Sequence, residues 1–226
     1  TDAQTTRDTF LIKTIAKDAQ TASGVEVDMS ETFQTWHGMG TYQNQYFELY
    51  TQEMGATAMR VGIISNRMER SNDNADPYVL NRSALDYSVF DWDAMRRMKE
   101  MGVETFILTS WSAPGWMKDN HDESWAHAGV VKWEEAPNRT SPFYYEEWAE
   151  YFIAAYRLFE EEAGIELAGI GIQNEPAFYE PYPSAILSPV EFAKVIGVVG
   201  KRFEKEGLGH VKLFMPEQVF SQPNYS

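Results

Sequence analysis

"FYYEEWAEYFIAAYRLFEEEAGIELAGIGIQNEP", residues 143–176, holds a complete helix, its stop and the strand that follows. Trp148, Tyr151, Phe152, Ala155, Tyr156 and Phe159 recur at the spacing of one helical face, and Gly164 supplies the stop. The run "LAGIGI" that comes next is short, apolar and free of alternation, the pattern of a strand buried on both faces. It ends abruptly in Gln173-Asn174-Glu175, with Pro176 directly behind. Two amides and a carboxylate at the end of a buried strand are costly to place there unless they have work to do.

Working outward from this unit, the same alternation repeats. "TWHGMGTY" (35–42) reads as a first strand, and a helical stretch from Gln45 to Met54 stops at Gly55. "ATAMRVGII" (56–64) is a second strand, and a polar loop leads to a helix opened by Asp91 and closed by Gly102. "VETFILTSW" (103–111) is a third strand, followed by a long loop to about Pro142. Beyond the fourth strand, Ser188 caps a helix with Pro189 at its first position and Glu191 completing a capping box. Phe192, Val195, Ile196, Val199 and Phe203 form its apolar stripe, Gly207 ends it, and "VKLFMPEQVF" (211–220) is a fifth strand.

Five strands alternating with four helices predict a parallel α/β architecture. No glycine-rich phosphate loop follows any strand, so the nucleotide-binding version loses ground. Long loops follow the strands, and polar and aromatic residues gather at the strands' C-terminal ends. That is where a (β/α)8 barrel builds its site. A TIM barrel is therefore the expected fold, with this chain supplying about strands 1–5. The first ~35 residues behave differently: "TFLIKTIA" and "VEVDM" are short β-prone stretches around a turn.

Composition narrows the function. The chain has 226 residues, 43% of them hydrophobic and 14% aromatic, enough for one substantial core. Its net charge of −15 disfavours nucleic acid and anionic membranes as partners and suits a neutral substrate. The absence of Cys excludes disulfides, thiolate metal sites and a Cys nucleophile. No apolar run approaches the roughly 20 residues that span a bilayer. The start "TDAQTTRDTF" is no signal peptide, although a cleaved one leaves no trace. Sequons at Asn81, Asn138 and Asn224 are short motifs of the kind that arise by chance.

Three strand ends carry candidate chemistry. Arg60 interrupts "AMRVGII", where a strand buried on both faces should be apolar. It needs a partner, either a carboxylate at the barrel mouth or a structural ion pair with a helix. "SWSAPGWMK" places Trp111 and Trp116 on a rigid loop, where their rings either bind the apolar face of a sugar or pack the barrel rim. Glu175 stands where lost water favours a protonated carboxyl able to donate to a leaving oxygen, with Asn174 offering both a donor and an acceptor beside it. A salt-bridged structural Glu is the plainer alternative.

Together, "QNEP" ending strand four, "SWSAPGWMK" after strand three, Arg60 on strand two, "GMG" near strand one and "PE" on strand five resemble a retaining glycoside hydrolase of clan A. The pattern is most similar to glycoside hydrolase family 30, whose members include glucosylceramidases, glucuronoxylanases and β-1,6-glucanases or galactanases. The resemblance covers most of residues 25–220. It implies a (β/α)8 barrel with a β-rich side domain, to which residues 1–35 contribute strands, and it implies a β-linked oligosaccharide or polysaccharide as substrate. By resemblance Glu175 is the catalytic acid/base. Arg60, Trp111, Trp116, Asn174 and Tyr179 line the substrate subsite, and Glu217 serves it through hydrogen bonds. "WHGMGTYQNQY" departs from the family's usual G-F-G-G, which puts the subsite floor in question.

The family's nucleophile is a Glu at the end of strand seven, and no strand seven can be read here. Retaining hydrolysis needs two carboxyls about 5–5.5 Å apart, and Glu217 is the other carboxylate at a neighbouring strand end. The family geometry places the attack elsewhere. The expectation is a piece of a longer protein, inactive alone, whose barrel is completed by its C-terminal half or by another chain. Such an enzyme needs no metal or organic cofactor, and a polymer substrate implies secretion or a periplasmic location. The alternative is a non-catalytic carbohydrate-binding or scaffold protein on the same barrel.

Metal readings of the sequence are weaker. His121 and His127 lie among acids at no standard ligand spacing. "SNDNADP" alternates oxygen side chains as a calcium loop does, but Pro77 stands where an EF-hand needs Gly and Ser83 where it needs Glu. It is no EF-hand; a looser calcium site stays open.

Overall fold

The computed structural model describes residues 38–63, 67–118, 121–123, 143–176, 182–185, 187–214 and 216–217. The chain divides into two units, Thr1–His37 and Gly38–Ser226, and the first lies outside the described residues, as do the side-domain strands expected there.

Among the described residues, the second unit holds five strands and four α-helices in strict alternation. They are β1 (Met39–Tyr42), α1 (Phe47–Gln52), β2 (Ala56–Ile63), α2 (Trp92–Glu100), β3 (Thr105–Ser110), α3 (Phe143–Ala163), β4 (Leu167–Gly171), α4 (Pro189–Lys205) and β5 (Lys212–Phe214). Every neighbouring pair is parallel and the sheet order is β1-β2-β3-β4-β5, so each strand docks beside the one before it. This is the sequential winding of a (β/α)8 barrel, here strands one to five.

Local sequence accounts for the element ends. The Asp91 side chain accepts from the Ala94 amide at 3.0 Å and opens α2. Ser188 and Glu191 form the full capping box of α4: the Ser188 amide donates to Glu191 Oε2 at 2.8 Å and the Glu191 amide to Ser188 Oγ at 3.3 Å. Gly164, after α3, takes φ 62°, the left-handed conformation that only glycine enters without steric cost.

Alternation along the strands separates two faces. Met59, Val61 and Ile63 of β2, Phe106 and Leu108 of β3, and Ile170 of β4 join one apolar core with Met95 and Met98 of α2 and with Trp148, Phe152 and Phe159 of α3. The intervening positions are small or polar, among them Arg60, Gly62, Thr109, Gly169 and Gly171. Each core side chain contributes about 1.5–3 kcal/mol by leaving water. That is why the helix-facing set is uniformly large while the other face is free to carry chemistry.

Two elements differ from expectation. β4 stops at Gly171, one residue short of its apolar run, and pairing resumes beyond it as an isolated bridge between Asn174 and Glu217. The polar loop between β2 and α2 is not a solvated excursion. It contains 3-10 turns at Arg82–Ala84 and Tyr87–Val89 and buries Met68, Glu69, Leu85 and Phe90. By covering α3, it leaves Glu147 and Glu150 of that helix buried as well.

Candidate active site

The site forms where β2, β3 and β4 end. Arg60 sits on β2 with its guanidinium turned to its neighbours' ends. Nη2 donates to Asn174 Oδ1 at 2.8 Å, and Nε lies 3.1 Å from Thr109 Oγ1 and 3.0 Å from Glu217 Oε1. The expected carboxylate partner of Arg60 is thus Glu217. The guanidinium also lies 4.8 Å from the centre of the Trp111 ring and 5.8 Å from that of Tyr42, and the two rings meet edge to face at 5.5 Å. A planar cation suits this place better than an ammonium, since it stacks on a ring and hydrogen-bonds in its own plane together.

Backbone pairing fixes the segment that carries the carboxyl. The Asn174 amide donates to the Ser110 carbonyl at 2.7 Å, and the Glu175 amide to the Glu217 carbonyl at 3.0 Å. Gln173 is buried and donates its Nε2 to the carbonyls of Trp111, at 2.6 Å, and Asn174, at 2.8 Å. Glu175 then adopts φ 46°, a left-handed conformation uncommon for a residue with a side chain, immediately before Pro176. Such a conformation persists where its surroundings over-determine it, and here four hydrogen bonds and a proline do so. The Glu175 side chain is half-buried, and Asn174 Nδ2 stands 3.5 Å from its Oε2.

Two glycines make room for these groups. A Cβ on Gly62 would strike the Tyr42 hydroxyl and lie 2.8 Å from the Trp111 ring. On Gly171 it would lie 2.6 Å from Glu217 Oε2 and 3.1 Å from Thr109 Oγ1. The small residues on this face are therefore the space into which the site's side chains fit.

The loops after β3 and β4 are tied to one another. Lys118, 1% exposed, donates Nζ to the Ser184 carbonyl at 2.7 Å, and Ser112 Oγ donates to the same carbonyl at 3.1 Å. This brings Tyr182 and Pro183 to an open cleft of about 250 Å³ whose other walls are Tyr42 and Trp111. Three aromatic side chains around one cleft offer flat apolar faces, the shape that the C–H face of a sugar ring meets.

Of the residues singled out in the sequence, the structure gathers Arg60, Trp111, Asn174, Glu175 and Glu217. Trp116 goes elsewhere: it lies on the 3-10 turn Gly115–Met117, packs against the core and donates Nε1 to the Glu69 carbonyl at 3.2 Å. Tyr179 and His127 lie outside the described residues, and His121 is exposed. Thr109, Tyr42 and Tyr182 join the site without having been marked by the sequence. Thr109 and Tyr42 share one signal, a position at a strand's C-terminal end, whereas Tyr182 lies well along the loop after β4. Among the described residues, neither Glu175 nor Glu217 belongs to a group of acids close enough to share a metal ion.

Fold and site together define a class, the parallel barrel with a polar and aromatic site at its strand ends. Residues 39–186 match the TIM-barrel domain of glycosyl hydrolase family 30, and the chain belongs to that family. Among solved structures it is similar to the family 30 subfamily 8 xylanase Xyn30A from Clostridium acetobutylicum, with 19% identity, a TM-score of 0.66, and 87% of this chain against 46% of that one. It is likewise similar to the catalytic domain of xylanase C from Talaromyces cellulolyticus, with 19% identity, a TM-score of 0.66, and 86% against 49%. The endo-β1,6-glucanase BT3312 follows, with 17% identity, a TM-score of 0.60, and 83% against 45%. The chain thus spans about half the length of the structures it matches.

Proposed function

We propose that the protein is a retaining glycoside hydrolase that cleaves a β-linked polysaccharide by double displacement, with Glu175 as acid/base. The observation that carries this reading is the convergence on Arg60. One guanidinium holds Asn174, next to Glu175, and Glu217, on the far side of β4, in a single hydrogen-bonded frame. A frame of this kind keeps a carboxyl oriented before substrate arrives, which is where much of the catalytic advantage of an acid lies.

On this reading the sugar ring lies against Trp111 in the Tyr42–Tyr182 cleft. Glu175 gives its proton to the glycosidic oxygen while a carboxylate nucleophile bonds to the anomeric carbon and the leaving sugar departs as an alcohol. Glu175, now ionised, takes a proton from water as that water attacks the anomeric carbon. The ester to the nucleophile breaks and both carboxyls return to their starting states. The nucleophile comes from a later strand of the barrel, outside these 226 residues. Asn174 is placed to hydrogen-bond a substrate hydroxyl, and Glu217 to hold Arg60 and, through it, Asn174. The net charge of −15 supports a neutral glycan. A polymeric substrate places the enzyme outside the cytoplasm, which fractionation of the producing cells would test.

The decisive experiment uses the full-length protein on a panel of β-linked glycans and aryl β-glycosides. Glu175→Ala is expected to lose about 10²–10⁴-fold on polysaccharide. It should retain the first step on a glycoside with a good leaving group and be accelerated by azide, which replaces the missing base in the second step. Turnover unaffected by the substitution, or lost without azide rescue on every substrate, would overturn the assignment. Glycan binding with no turnover in the wild type would favour a binding module instead.

A further inference from the structure

A second cluster of acids lies between the β2–α2 loop and α3, and the glycosidase reading does not use it. One carboxylate oxygen from each of Asp73, Glu147 and Glu150 falls within 4.8 Å of the others. Glu69 adjoins them, its Oε1 accepting the Asp73 amide at 3.2 Å. Glu147 and Glu150 are 1% and 3% exposed. Asn72 Nδ2 donates to Glu147 Oε1 at 3.2 Å, but Glu147 Oε2 and Glu150 Oε1 are buried and have no hydrogen-bond partner among the described residues.

No Lys, Arg or His forms an ion pair with any of these four acids among the described residues. The nearby cation, Arg202, is buried and otherwise engaged. It donates Nη1 to the Pro77 carbonyl at 2.6 Å, pairs Nε with Glu206 at 3.2 Å and lies over the Tyr78 ring. Buried carboxylates this close cannot all stay ionised unless something positive joins them.

We infer that Asp73, Glu147 and Glu150, with Glu69 beside them, hold a structural divalent cation of the oxygen-preferring kind, calcium, that fastens the β2–α2 loop to α3. The donor set is all carboxylate, which selects hard cations over zinc or copper. The spacing is compatible with one ion: ligands at about 2.4 Å on opposite sides of a calcium are ~4.8 Å apart, and one oxygen of each of the three acids lies within that reach of the others. Glu147 and Glu150 are three residues apart on α3 and share a face, so one helix supplies two ligands in fixed register. Asp73 is held in place from outside the site, its oxygens accepting Asn74 Nδ2 at 2.9 Å and the Asn81 amide. The two unpartnered oxygens are the coordination that the protein itself leaves unmet.

The test is calcium titration of the chelator-stripped full-length protein, with magnesium in parallel, followed by melting temperature and by terbium luminescence. Trp116, bonded to the Glu69 carbonyl, is the antenna. Wild type is expected to gain about 5–10 °C when calcium exceeds its Kd a hundredfold, and to show one sensitised terbium site that calcium displaces. Glu150→Gln and Asp73→Asn should each abolish the calcium gain. Glu150→Gln should melt in chelator no lower than wild type, since it removes a repulsive charge, whereas Asp73→Asn also gives up one of the two bonds accepted from Asn74 and Asn81. Asp73 is only half-buried, so its variant stands even if the buried substitution fails to fold. No stabilisation by calcium, or equal stabilisation of wild type and both variants, would overturn the assignment. So would stabilisation by protons alone, which would mean that the carboxyls share protons instead.

Discussion

Arg60 Nη2 and Asn174 Oδ1 stand 2.8 Å apart, although 114 residues separate them in the chain. The contact joins the middle of β2 to the residue preceding Glu175, and the same guanidinium reaches Glu217 at 3.0 Å. Replacing Arg60 by Met should therefore lower kcat/KM by about 10–100-fold, the worth of a hydrogen bond to a charged group. Lys should not rescue it, because one ammonium cannot reproduce two planar contacts and a ring stack. Steady-state kinetics of both variants, with circular dichroism to show retained folding, checks this. Full activity in the Lys variant would show that charge alone suffices.

Gly171 and Gly197 should respond oppositely to alanine. At Gly171 the added carbon would sit 2.6 Å from Glu217 Oε2, so Glu217 must move and activity should fall. Gly197 lies within α4 with nothing within 4 Å of an added carbon. There Gly→Ala should stabilise by about 1 kcal/mol, or ~2–4 °C in melting temperature, with unchanged kinetics. Thermal melts and kinetics of the two variants decide it.

Lys118→Met tests the tie between the β3 and β4 loops. The Ser184 carbonyl keeps its bond from Ser112 Oγ, so the fold should survive a loss of about 1–3 kcal/mol. With the tie reduced to the Ser112 bond, Tyr182 should be held less firmly and KM for a glycan should rise more than kcat falls. An unchanged KM would detach Tyr182 from substrate binding.

The buried acids predict an unusual pH response in chelator. Burial, then Asp73, raises Glu69 to about 8 in the folded state from an ordinary value near 4.5, and Glu147 and Glu150 shift the same way. Folding therefore favours their protonated forms. That stability is complete below the ordinary carboxylate range and is lost as pH rises through about 8. Asp76 also faces the group and adds repulsion, while Arg202 opposes it. Metal-free protein should melt progressively lower from about pH 5 to 8, and Glu150→Gln should flatten that slope. A flat wild-type profile would show that these carboxyls do not titrate together.

The elements were legible in the sequence because their signals are local. The α4 capping box, the Asp91 cap and the stripe from Trp148 to Phe159 each depend on residues within one or two turns. Arg60 stood out as a polar intrusion into an apolar strand and Glu175 as the polar end of one, and the structure brings both to the same strand ends. Other features depend on tertiary covering and leave no local trace. Glu147 and Glu150 read as the outward face of a helix until the β2–α2 loop closes over them. Trp111 and Trp116 look equivalent in sequence, yet Trp111 faces the cleft while the turn at Gly115–Met117 lays Trp116 against the core. Tyr42 and Tyr182 become meaningful only once the cleft they share with Trp111 exists.

The sequential order of the sheet sets a timetable for synthesis. Each strand can dock on its predecessor as it leaves the ribosome, but Arg60, which meets Thr109 and Trp111 early, waits for Asn174 after β4 and Glu217 after β5. At about 5–20 residues per second, the roughly 160 residues from Arg60 to Glu217 take about 8–30 s to appear. Through that interval the guanidinium has water rather than a carboxylate as its neighbour, and the Arg60–Glu217 pair closes last. Its formation is thus a natural clock for the nascent barrel, readable in ribosome-bound chains as the length at which the Trp111 environment becomes fixed.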